Sequence, residues 1–263
     1  MVSSLKEKLY ELKEKDILIH LLEAGVISER FEHDSTEEKL YAKYCNFLLS
    51  KSLSYLGIES KMVEGRGNAP DVIGEKENKY KLAGDAKAFR LSRTAKNQKD
   101  FKVEALNQWR KDLQADYACL VAPLYQYPSK KSQIYNQAIR YNVTLISYTH
   151  LYFMIKASNA YNIDWEPLWK VGKSLKSNQY ASKYWKTINK TICKCLKIPL
   201  EIWEQTYEEI HNKLIEQAIV EIEFWEHEKQ KIMKLSYDQA VKQLIKALKI
   251  DSKIRVIKKT AGI

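Results

Sequence analysis

The sequence predicts a mixed α/β fold: a mixed β-sheet flanked by helices, followed by a largely helical C-terminal half. Three observations carry this. Apolar spacing changes from helical to strand-like after Gly57 and then alternates between the two as far as Ile146. Two short apolar stretches joined by a polar turn make an antiparallel hairpin, whereas the later strands are separated by helices and therefore pair parallel. Beyond residue 149 the pattern is helical, with long candidates at 200–232 and 236–249.

Taken in order, residues 4–24 are expected to be helical. Ser4 caps them, Leu5, Leu9, Leu12 and Leu21 fall near helical spacing, and Gly25 ends the run. Residues 36–56 form the next helix. Ser35 and Glu38 make a capping box, and Leu40, Tyr44, Phe47 and Leu48 line one face. Ile58–Val63 is a strand, followed by the turn-rich Gly65-Arg66-Gly67-Asn68. A second strand begins at Asp71, a polar turn spans Gly74–Lys79, and Tyr80–Phe89 returns as the third. Residues 97–113 return to helical spacing through Phe101, Ala105, Leu106, Trp109 and Leu113. Tyr117–Ala122 reads as a buried strand, Ser129–Tyr141 as a helix and Val143–Ile146 as another buried strand. The expected division is a core at 1–148 and a helical region at 149–263, packed together as one globular unit.

Composition narrows the class. At 263 residues and 45% apolar content the chain can bury a substantial core. Eight glycines and five prolines are too few for a collagen-like or broadly disordered chain. No apolar run approaches the roughly 20 residues of a membrane-spanning helix. The N-terminal MVSSLKEKLYELKEK is charged where a signal peptide would be apolar. A soluble cytoplasmic protein with no membrane partner is expected. Lys and Arg outnumber acidic residues 44 to 33, a net charge of +11 that favours anionic partners, nucleic acid ahead of membrane. Cys45, Cys119, Cys193 and Cys195 form no disulfide framework, and Cys193-x-Cys195 with the scattered His211 and His227 has no zinc-site spacing.

Charge is segregated in the helical half. Residues 170–197 carry eight lysines and no acid, whereas 200–228 carry nine glutamates and one lysine. Two readings stand: solvated faces that attract each other, or a phosphate-facing arm with Tyr180, Tyr184 and Trp185 interleaved.

The chemistry concentrates between Arg66 and Lys111. Asp85 and Lys87 alternate onto one face of a strand, opposite Tyr80, Leu82, Gly84, Ala86 and Ala88. The hairpin returns Asp85 towards Asp71, so two carboxylates and an ammonium converge at one edge of the sheet. Two carboxylates can hold Mg²⁺ while leaving positions for water and a phosphate oxygen. Such an ion polarises the phosphoryl group, and Lys87 can orient water and stabilise charge on the phosphorus oxygens. A salt-bridged edge strand is the structural alternative. From 87 to 111 eight basic residues face two acidic ones, a net +6. There Arg90, Ser92, Arg93, Asn97, Gln98, Lys99 and Lys102 are candidate DNA contacts, Arg suiting guanine and Asn or Gln suiting adenine.

Pro70-Asp71…Asp85-x-Lys87, on a hairpin after a helix and before an αβ crossover, resembles the active site of the PD-(D/E)xK nucleases. More narrowly, DAKAFRLSRTAKNQKDFKVEAL at 85–106 closely resembles the HindIII-type restriction endonucleases, and STEEKL at 35–40, RGNAPDVI at 66–73 and APLYQYPSKKSQIYNQ at 122–137 are similar to them in the same order. The resemblance implies a restriction-endonuclease-like fold and a type II enzyme. Such an enzyme cuts palindromic duplex DNA with Mg²⁺ as a homodimer, with a cognate DNA methyltransferase in the host. Its implied target is AAGCTT, cut after the first A to leave 5′ overhangs. Asp71, Asp85 and the Ala86 backbone carbonyl would hold the metal, Lys87 would be the catalytic lysine, and Glu38 is a further catalytic candidate beside its capping role. The region 149–263 is expected to serve DNA clamping or dimerisation, and its apolar Ile210, Leu214, Ile215 and Ile219 either contribute to the interface or pack in the core of one subunit. The competing classes are a structure-specific nuclease and a non-catalytic DNA-binding module. The second is disfavoured because paired carboxylates repel phosphate unless a metal intervenes. No P-loop motif suggests an ATP-dependent motor.

Overall fold

The computed structural model describes residues 13–63, 69–94, 97–158 and 163–261, so the expected helix before residue 13 and the 65–68 turn lie outside the described residues. Helix α1 spans Glu14–Glu23. Gly25 follows at φ +85°, and a Cβ there would sit 2.4 Å from the Tyr148 ring, so the turn requires glycine twice over. It leads into a two-residue strand, β1 (Val26–Ile27). Helix α2 (Thr36–Tyr55) starts where the capping pattern places it, with Ser35 accepting a hydrogen bond from the Glu38 N–H.

The main sheet has five strands in the order β2 (Glu59–Met62), β3 (Val72–Lys76), β4 (Tyr80–Ala86), β6 (Tyr117–Val121) and β7 (Val143–Ile146). The pairs β2–β3 and β3–β4 are antiparallel, and β4–β6 and β6–β7 are parallel. Strand β6 is buried along its whole length, as its apolar run requires. Helix α2 packs on β2, β3 and β4 through Leu48, Leu49 and Leu53, all fully buried.

Three local expectations are corrected. Strand β3 continues to Lys76, and the turn is confined to the three residues before β4. Gly74 is a strand residue whose missing side chain makes room for Ile58, which an added Cβ would approach to 2.9 Å. The third strand ends at Ala86, and Phe89–Arg90 forms a separate strand, β5, paired parallel with β1. The helix expected at 97–113 is split into α3 (Gln98–Phe101) and α4 (Val103–Asp112) by Lys102 at φ +48°.

After α4 and β6, helix α5 (Gln133–Tyr141) crosses over to β7, and α6 (Tyr148–Ala157), α7 (Glu166–Trp169), α8 (Ala181–Leu196), α9 (Leu200–Met233), α10 (Tyr237–Ala247) and α11 (Ile250–Ala261) follow. The Lys-rich α8 turns its aromatic residues inward. Tyr184 is buried and accepts the Leu145 N–H at 2.9 Å, and the Trp185 ring N–H donates to the Tyr135 hydroxyl. Tyr180 alone of the three is exposed. Among the described residues no helix is long and apolar enough to cross a membrane.

The chain divides into two compact units, residues 1–216 and 217–263. The second comprises the rest of α9 with α10 and α11, and neither α10 nor α11 buries a residue.

Within the first unit, His150 stacks between Trp185 and Trp203, with ring centroids 5.5 and 4.5 Å away. Ser147 and the Asn189 amide engage its two ring nitrogens. Burial lowers its pKa from 6.5 to about 4, the Asn189 contact opposing. The unfolded chain binds this proton below about pH 6.5, whereas the folded chain resists it down to about 4. This contribution is therefore complete above pH 6.5 and is lost as the pH falls towards 4, up to roughly 3 kcal/mol. Urea unfolding should show that loss between neutral and acid pH, and His150→Gln should shrink it. An unchanged pH dependence in the variant would remove His150 as its source.

Candidate active site

The site is built at the end of the β3–β4 hairpin. The antiparallel register pairs Val72 with Gly84, which carries Asp71, one residue earlier, to the position opposite Asp85. Asp71 is anchored from the other side, its carbonyl accepting the Val63 N–H at 2.9 Å. Asp85, next to last in the central strand, lies beside Leu120 of β6 and is only 1% exposed. Lys87 lies two residues on, where side-chain alternation returns it to the same side. Its Nζ is 2.5 Å from Asp85 Oδ2, while the lysine side chain keeps 18% of its surface open.

Burial raises the Asp85 pKa from 3.8 to about 7. The Lys87 charge lowers it, and Asp71 raises it through a hydrogen bond and like charge. Two carboxyls and one ammonium thus form one electrostatic unit with a surplus of acidic groups. Such a unit is suited to accepting a cation and to pressing an ammonium against an anionic substrate. The structure brings Asp71, Asp85 and Lys87 together as the motif spacing implies.

Glu38 is held elsewhere in the local network. It occupies the third position of α2, accepts the Asp34 N–H at 2.7 Å and lies 3.6 Å from the Arg90 guanidinium. Arg90 is 7% exposed, on β5, and donates to the Ser28 carbonyl at 2.9 Å. The Gln126 side-chain amide donates to the Arg90 backbone carbonyl. Beyond β5 the segment opens to solvent. Ser92 is exposed, its N–H bound to Glu29 Oε1 at 3.0 Å. Arg93 lies 4.0 Å over the Phe89 ring and pairs with Asp100. Asn97, Gln98, Lys99 and Lys102 are exposed.

Two residues that the sequence analysis passed over also touch the site. Asn46 of α2 accepts the Ala86 N–H at 3.2 Å, and the Tyr148 hydroxyl donates to the Lys87 carbonyl at 3.0 Å. The one signal for Asn46 is a polar residue set between the apolar Cys45 and Phe47 on the core face of its helix.

A hairpin with two facing carboxylates and a lysine, set before parallel αβ crossovers, resembles the active site of the PD-(D/E)xK nucleases. Residues 1–261 match the HindIII restriction endonuclease family profile. The chain is 37% identical over 262 residues to the type II restriction enzyme HindIII of Haemophilus influenzae, covering 97% of this chain and 87% of that one. The chain belongs to the HindIII restriction endonuclease family and is a type II restriction endonuclease, a site-specific deoxyribonuclease.

Proposed function

We propose that the protein cuts both strands of the palindromic site AAGCTT after the first A, using Mg²⁺ and acting as a homodimer. A cognate methyltransferase would protect the host's own sites. The observation that carries this reading is the Asp71–Asp85–Lys87 cluster, in a chain whose similarity to the HindIII enzyme extends over nearly its whole length.

The donor set fits a hard divalent cation. Among the described residues no three His, Cys, Asp or Glu side chains gather. An ion here would rest on Asp71, Asp85 and the Ala86 carbonyl, its other positions left to water and phosphate oxygens, as Mg²⁺ accepts. The raised Asp85 pKa supports the fit, because a buried carboxylate beside a second one is stabilised in its ionised form by a neighbouring cation. When bound, the ion polarises the phosphoryl oxygens and acidifies water.

The chain's own residues do the rest. Lys87, held by Asp85, orients the attacking water and offsets charge growing on the phosphorus oxygens. Ser92, Asn97, Gln98, Lys99 and Lys102 are exposed to reach DNA. Arg93 reaches it on leaving Asp100, and buried Arg90, with Glu38 behind it, braces the segment. A homodimer matches the two-fold symmetry of a palindrome. Support for a self-association surface comes from α9, where Ile215 and Ile219 are 47% and 50% exposed.

Digestion of an unmethylated plasmid and sequencing of the fragment ends tests the proposal. Discrete fragments ending in 5′-AGCTT are expected, and none without Mg²⁺. Ends at a different sequence would overturn the assigned target, and cutting confined to junctions or mismatches would overturn the restriction specificity.

A further inference from the structure

We propose that Asn46 and Tyr148 are positioning residues that replace missing sheet hydrogen bonds around Lys87 and so hold its ammonium on Asp85. This rests on the catalytic role proposed for Lys87.

At the end of β4 both neighbouring strands fall away. The Lys87 N–H still bonds to Val121 of β6, at 2.7 Å. Successive N–H groups of a strand point to opposite sides, so the Ala86 N–H points towards β3. There the continued antiparallel register would place Pro70, and β3 itself begins only at Val72. Asn46 supplies the acceptor that the sheet lacks, its side chain reaching from α2 while 8% exposed. On the other side β6 ends at Val121, the Ala122 N–H points away to Ile146 of β7, and the next position, where the parallel register would place the donor, is Pro123, which has no N–H. The Lys87 carbonyl is therefore left without a ladder donor, and the Tyr148 hydroxyl donates to it instead.

Tyr148 is itself fixed. It opens α6, is 3% exposed, and its ring fills the space that the side-chain-free Gly25 leaves. The peptide that follows the lysine Cα is thus tied to α6, the one that precedes it to β6, and the 85–86 peptide, between Asp85 and Ala86, to α2. A buried polar group that completes a broken ladder prevents the loss of an unsatisfied peptide group. Here it also sets where the lysine side chain leaves the backbone. A displacement of the order of 1 Å at a reacting group lowers rate by about 10²-fold, with little effect on binding made elsewhere.

The test is single-turnover cleavage of the cognate duplex, as defined by end-sequencing, beside binding of the same duplex in Ca²⁺. Tyr148→Phe keeps the ring and removes only the hydroxyl, so the protein should fold. Its cleavage rate should fall roughly 10–100-fold while its Kd stays within about twofold. Asn46→Ala should do the same. Should that variant not fold, Asn46→Ser, whose hydroxyl is too short to reach the Ala86 N–H, takes its place. A Tyr148→Phe rate equal to wild type overturns the proposal, as does a parallel loss of rate and binding, which marks general loosening. Lys87→Ala run alongside separates the two levels. If it cleaves fully, the catalytic reading fails. If it is dead while Tyr148→Phe and the Asn46 variant cleave normally, only the positioning role fails.

Discussion

Lys87→Ala is expected to lower the rate of Mg²⁺-dependent cleavage by roughly 10²–10³-fold or more, the scale seen when one preorganised donor to transition-state charge is removed. The ammonium lies 2.5 Å from a buried carboxylate and keeps part of its surface open, so it is both fixed and accessible to substrate. Asp85→Asn should be as damaging for a different reason: the amide keeps the shape but withdraws the charge that would hold a cation. Asp71→Asn should follow it. In all three variants duplex binding in Ca²⁺ should persist, because the proposed DNA contacts lie on the segment after β5. Gel shifts paired with single-turnover cleavage separate the two properties. Full cleavage by any of these variants would take that residue out of the mechanism.

The second large effect concerns subunits. Wild-type chains mixed and exchanged with Asp85→Asn chains should form heterodimers holding one competent centre each. On a plasmid with a single site they should leave open, nicked circles, whereas wild-type homodimers give linear product. In the proposed enzyme one Asp71–Asp85–Lys87 centre would serve one phosphodiester, and a two-fold axis would supply the second. Sedimentation of the DNA complex should give two chains per duplex. A one-chain complex that linearises the plasmid without recruiting another chain would rule this out.

Much of the architecture could be read from local pattern. The Ser35–Glu38 cap, the α2 face and the order of strands and helices follow from periodicity and punctuation. The gathering of Asp71, Asp85 and Lys87 was legible because the three groups lie on or next to a single hairpin, where a register error of two residues would still have left Asp71 and Asp85 near each other. What escaped was non-local or too short. Gly74 looks like a turn residue, and only the approach of Ile58 from outside the hairpin explains it as strand. β1 and β5 have two residues each, a single strand period, too short for an alternation to repeat. The break at Lys102 places a non-glycine residue at positive φ, which composition does not announce. Arg90 sits in a basic stretch, yet Ser28 and Glu38, distant in sequence, bury it. Tyr184 is a different case. With Ile188 and Ile192 it repeats every four residues, a helical core stripe visible in the sequence beneath the lysines.

The brief β1–β5 pairing bears on how such an enzyme can change over time. Lys87 and Arg93 are six positions apart, and between them the chain is clamped to Gly25, Ser28 and Glu29 of the N-terminal segment. Under the proposed assignment of target reading to the segment that follows, no slack would separate the part that chooses DNA from the part that cuts it. A substitution that shifts preference towards another sequence would pull on the lysine as well. Drift in specificity would then be paired with losses of rate, and viable new specificities would require compensating changes near residues 25–29. Such coupling favours lineages that keep their target while the outer helices diverge.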